Sequence, residues 1–82
     1  MNFDIEQWKK DRNAALTSME LPALREYALK WCAREIAKDD ELLLFASHKA
    51  RTACKEIPTD LRRESKAWLA ARGMQSLDDG DL

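Results

Sequence analysis

The residues of this 82-residue chain most able to do chemistry are its single histidine, His48, its two cysteines, Cys32 and Cys54, and the carboxylates Glu56, Asp60 and Glu64. A thiolate and imidazolium pair needs both groups on one face. Cys54 follows His48 by six positions, which turns the second side chain about 240° away on a helix and rules out a dyad within one element. His48 therefore reads as a surface histidine. General acid and base work by Glu56, Asp60 or Glu64 would need apolar neighbours to raise a carboxyl pKa, and these three fall on charged helix faces. No catalytic residue is expected, and the chain reads as not an enzyme.

Ligand chemistry finds little support. Cys32 and Cys54 form no Cys-x-x-Cys pair, so both read as reduced packing residues inside helices, not as zinc ligands or a redox couple. Asp78-Asp79-Gly80-Asp81 resembles the start of a calcium loop, but such a loop needs twelve residues out to a terminal Glu. Gly73 and Gly80 are the only glycines, which excludes a glycine-rich phosphate loop. No metal, cofactor or small-molecule ligand is expected.

Basic residues are the remaining candidates. Between positions 48 and 72, Lys49, Arg51, Lys55, Arg62, Arg63, Lys66 and Arg72 stand against Glu56, Asp60 and Glu64, while Asp78, Asp79 and Asp81 make the C-terminal segment acidic. On helices, His48, Arg51 and Lys55 share one face and Arg62, Arg63 and Lys66 another, a geometry able to grip phosphates. No aromatic residue interleaves that face to stack bases, and the chain as a whole carries a net charge of -1. Nucleic-acid binding through Arg51, Lys55, Arg62, Arg63 and Lys66 is thus the second reading, beside ordinary surface charge.

These residues must be carried by helices. The chain has no valine and few isoleucines but abundant Ala and Leu, with 45% hydrophobic and 35% charged residues, which starves any strand and suits a small helical core. A first helix starts at Asp4 as N-cap, with Gln7 completing a capping box and Phe3 stapling on Trp8. Ile5, Trp8, Arg12, Ala15, Leu16 and Met19 form its inward stripe, leaving Arg12 to pair with a carboxylate such as Glu35 or to lay its stem on the core. Pro22 opens a second helix whose apolar positions run through Trp31 to Ile36. Asp39 or Asp40 caps a third, which Pro58 ends, with Leu42, Leu43, Ala46, Ala50, Ala53 and Ile57 on its inward face. The fourth runs from Pro58 to Gly73 and buries Leu61, Ser65, Trp68 and Leu69, with Met74 packing back on Leu69.

The expected fold is an all-α, compact four-helix bundle-like single domain over residues 1–74, followed by a partly ordered acidic tail at 75–82. Trp8, Trp31 and Trp68 each sit on an apolar stripe and suggest a core of three indoles. Leu42-Leu43-Leu44-Phe45 makes the third helix apolar nearly all round, so either its neighbours or a second chain must cover it. Leu44 and Phe45, with Arg51 and Lys55 at the rim, are the candidate partner interface, for self-association as a homodimer or for another protein. The start of the chain has no signal-peptide pattern and no apolar stretch long enough for a membrane span, which points to a cytoplasmic protein.

His48-Lys49-Ala50-Arg51-Thr52-Ala53, Leu61 through Leu69, and Arg72-Gly73 with Asp78-Asp79-Gly80-Asp81-Leu82 resemble small uncharacterised helical proteins encoded in phage and prophage genomes. That resemblance implies a small accessory protein of a bacterial cytoplasm that binds or inhibits another protein or regulates nucleic acid. It carries no activity over to any residue.

Overall fold

A computed structural model of the protein describes residues 4–74. Phe3, expected to staple on Trp8, and the segment 75–82 lie outside the described residues. Five helices follow one another: α1 (Ile5–Ser18), α2 (Leu21–Trp31), α3 (Arg34–Lys38), α4 (Asp40–Ala53) and α5 (Thr59–Ala71). The architecture is all-α, and no strand occurs among the described residues.

The helix ends follow local chemistry. The Asp4 carboxylate accepts from the Gln7 backbone N–H at 3.1 Å, but the Gln7 side chain reaches forward to Asp11 at 2.9 Å, so half of the capping box forms. Met19 closes α1 in the left-handed region at φ 56°, with its N–H on the Ala15 carbonyl. Asp39 caps α4 by accepting from the Leu42 N–H at 3.1 Å. At the end of α5, Gly73 takes φ 70° while its N–H bonds Ala70 and the Met74 N–H bonds Leu69, the paired closure that glycine permits.

One expected helix is two. The apolar run from Pro22 to Ile36 breaks at Cys32 and Ala33, neither of them a helix breaker, and resumes as α3. A straight helix would carry Ile36 and Ala37 past the end of the bundle, whereas the turn returns Ala37 to 2% exposure and packs Ile36 on the core. Burial outweighs intrinsic propensity here. The Arg25 guanidinium holds the corner by donating to the Ala37 carbonyl at 3.0 Å and pairing with Asp40.

The apolar core is built from Ala15 and Leu16 of α1, Leu24 and Ala28 of α2, Ala37 of α3, Leu43 of α4, and Ile57 beyond it. The expected three-tryptophan core does not form. Trp8 and Trp31 lie at its edge, half-buried, where their indole N–H groups donate to the Tyr27 hydroxyl at 3.0 Å and the Asp11 carboxylate at 2.9 Å. Indoles with a polar handle settle where the handle finds a partner. Arg12 pairs with Glu56 at 3.1 Å and stacks over Trp8 at 4.7 Å, not with Glu35, because the turn after α4 swings Glu56 against α1.

Candidate functional site

Helix α4 decides where the candidate residues go, and its inward face is rotated relative to the sequence reading: Leu43 stays inside as expected, but Leu42 and the alanines do not. Toward the interior it presents Leu43, Ser47, His48, Arg51 and Thr52. Outward it presents Leu42, 41% exposed, together with half-buried Phe45 and Ala46 and exposed Ala50 and Ala53. Alanine removes little area from water, so burying the long stem of Arg51 gains more than burying Ala50. The inward stripe expected at Ala46, Ala50 and Ala53 is therefore an outward one.

The inner face meets α5 in a polar junction. His48 Nδ1 lies 2.8 Å from the Ser65 hydroxyl. Arg51, 2% exposed, donates to the same hydroxyl at 3.2 Å, to Glu64 at 3.3 Å and to the Thr17 carbonyl of α1 at 3.3 Å. The Ser65 hydroxyl thus bridges the Arg51 guanidinium and the His48 ring. Burial lowers the His48 pKa to about 4, with the Arg51 and Arg72 charges adding to the effect. On its ring face His48 stacks against Trp68 at 4.1 Å and 17°, and the Arg72 guanidinium covers the opposite indole face at 3.7 Å.

His48 is thus no surface histidine. The sequence hid this because a helical position flanked by Ser47, Lys49 and Arg51 has the composition of a solvated face. Ser65 and His48 have the residue types of a nucleophile and base, but Ser65 is completely buried. A substrate atom has no path to within hydrogen-bond reach of it, so the pair works as packing. Glu56, Asp60 and Glu64 are all exposed. Glu56 is held ionised to lower pH by hydrogen bonds from Asn13 and Arg12.

The basic residues are divided. Arg51 and Arg62 are buried at 2% and 9% exposure, so Arg51 does not stand at the rim of an exposed surface. Lys55, Arg63 and Arg72 remain exposed and Lys66 half-buried. Leu44 packs on the core, whereas Phe45 stays half-buried with the Lys49 ammonium 5.1 Å over its ring. Leu42, on the same outer face, is a surface residue that the sequence reading assigns to the interior; its spacing three before Phe45 is the signal that could have found it.

A separate open groove of about 430 Å³ runs between α1 and α2, with Asp11, Glu26, Tyr27 and Lys30 around an alanine floor. Its Asp11 carboxylate is already engaged by Trp31, Gln7 and Lys30, hydrogen bonds that lower its pKa. Among the described residues no group of His, Cys, Asp and Glu is arranged to hold a metal, and no helix is long and apolar enough to cross a membrane.

No family profile matches the chain, and no solved structure does. Among curated proteins, the mitochondrial ribonuclease P catalytic subunit of Rattus norvegicus is 35% identical over 71 residues. The match covers 87% of this chain but 11% of that protein. This finding corrects two expectations. The similarity the comparisons return is to that subunit, not to phage and prophage proteins, and a relative named as a catalytic subunit overturns the reading of the chain as not an enzyme.

Proposed function

We propose that this chain is a protein-interaction module that docks through the outward face of α4. The observation that carries the reading is the rotation of that helix: beside Leu43 it buries mainly polar residues, and it leaves Leu42 exposed and Phe45 and Ala46 half-buried on the outer side. Apolar side chains at i, i+3 and i+4 on a helix surrounded elsewhere by α1, α2, α3 and α5 form a contiguous landing strip for a second helix. We further place the protein in the cytoplasm, a reading that the two unpaired thiols support.

A second reading is contact with nucleic acid through Lys55, Arg63, Lys66 and Arg72. The named role of the rat relative in ribonuclease P favours it, whereas the burial of Arg51 and Arg62 removes two of the five cations that such a face was expected to use.

The test is Ala46→Glu, which places a charge in the middle of the strip at a half-buried position. Association of the chain, with itself or with captured protein, is expected to fall at least about tenfold while helical circular dichroism is kept. Unchanged association sinks the docking surface. Captured material that disappears on nuclease treatment moves the weight to the second reading.

A further inference from the structure

The outer face of α4 carries an ordered charge pattern. Glu41, Phe45 and Lys49 are spaced by four, so they form one ridge along the helix surface. Phe45 sits at its centre, with the acidic residue about 6 Å toward one end and the basic residue about 6 Å toward the other. Beside it runs the parallel row Leu42, Ala46 and Ala50, which is low because two of its members are alanines.

We propose that two copies of this chain pair antiparallel through α4, on a two-fold axis near Phe45. The inference rests on the docking surface proposed above and names its occupant. Packing one such ridge into the neighbouring groove aligns the two ridges at the common crossing angle of about 50°. With the helices running in opposite senses, Glu41 of each copy then meets Lys49 of the other, and each Phe45 lies against the other's Ala46. A parallel pairing sets Glu41 against Glu41 and Lys49 against Lys49. The ridge is therefore self-complementary in one sense only, which is what an isologous interface requires.

The Lys49 ammonium already lies over the Phe45 ring, at the edge of the apolar strip, where a partner carboxylate can reach it. Glu41 is exposed, and it is Asp40, not Glu41, that pairs with Arg25. A second copy adds burial where the apolar face is open, at Leu42.

Sedimentation velocity of the wild-type chain, Glu41→Lys, Lys49→Glu and their mixture tests the pairing. The wild type is expected to be a dimer at micromolar concentration, and each single variant to raise the dissociation constant at least about tenfold, since each places like charges together twice. Mixing the two variants restores a dimer, because the ridge of one is then basic at both ends and the ridge of the other acidic at both ends. Restoration on mixing cannot come from altered folding of either variant alone. A wild type that is monomeric at about 0.5 mM, a concentration that populates even weak dimers, or a mixture that stays monomeric, overturns the second copy as partner; in those cases the docking surface stands or falls on whether Ala46→Glu releases a different captured protein. A dimer that Ala46→Glu leaves intact overturns both.

Discussion

The two sides of the molecule are held together by different chemistry. Where α1, α2 and α3 meet the first half of α4, the contact is aliphatic: Leu16, Leu24, Ala28 and Leu43 are almost completely buried. Where α5 meets the second half of α4, the buried residues include His48, Arg51, Thr52, Arg62 and Ser65, with Leu69 the main aliphatic contribution from α5. An aliphatic contact tolerates changes of shape at modest cost, whereas a buried polar contact is stable only when its donors and acceptors are matched. The α5 junction should therefore be the more specific of the two and the more sensitive to solution conditions.

The largest expected effects set the two sides against each other. Leu24→Ala is expected to cost roughly 3 kcal/mol by leaving a cavity, and Arg51→Ala roughly 2–3 kcal/mol by removing both a packed stem and the donor to Ser65, Glu64 and the Thr17 carbonyl. Arg51→Met, which keeps most of the stem, should recover part of that loss. Urea midpoints for the three variants check the ranking. An Arg51→Ala protein as stable as the parent would break the comparison.

A medium effect belongs to the polar side alone. His48 is the sole histidine, and its folded-state pKa of about 4 lies below the 6.5 of an exposed imidazole. Between those values the unfolded chain binds a proton that the folded chain refuses, so stability is full above about pH 6.5 and falls as the pH drops toward 4. The loss should reach roughly 1–3 kcal/mol. His48→Gln should flatten the stability profile between about pH 6.5 and 5, where ordinary carboxylates have yet to titrate, and a profile identical to the parent's would show that His48 is not the group responsible.

The smallest effect sharpens the boundary between the sides. Arg12 and Glu56 tie α1 to the turn that follows α4, but Glu56 is half in solvent. A double-mutant cycle with Arg12→Met and Glu56→Gln should give a coupling of about 0.5 kcal/mol that shrinks in roughly 1 M salt.

The helical class and most helix ends were legible in the sequence, because caps and prolines act locally: Asp4, Pro22, Asp39, Pro58 and Gly73 each mark a boundary within a residue or two. The break at Cys32 was not, since nothing in its immediate neighbours disfavours a helix and only the burial of Ala37 explains it. The orientation of α4 was illegible for a different reason. Periodicity shows that two faces differ but assigns the interior by polarity, and here His48, Arg51 and Ser65 satisfy one another across α5 well enough to go inside. Leu42 and the alanines read as one apolar stripe, but nothing in the pattern marks that stripe as the outer one.

The layered arrangement at Trp68 has an optical consequence. An indole pressed between an imidazole and a guanidinium reports the charge of its neighbours, since a protonated imidazole quenches indole emission. Trp8 and Trp31 lie far along the chain on α1 and α2, so replacing both by Phe leaves Trp68 as the single indole, at the α4–α5 junction. The protein carries its own fluorophore where its polar contact is made, and the emission of that residue follows the junction without any added label.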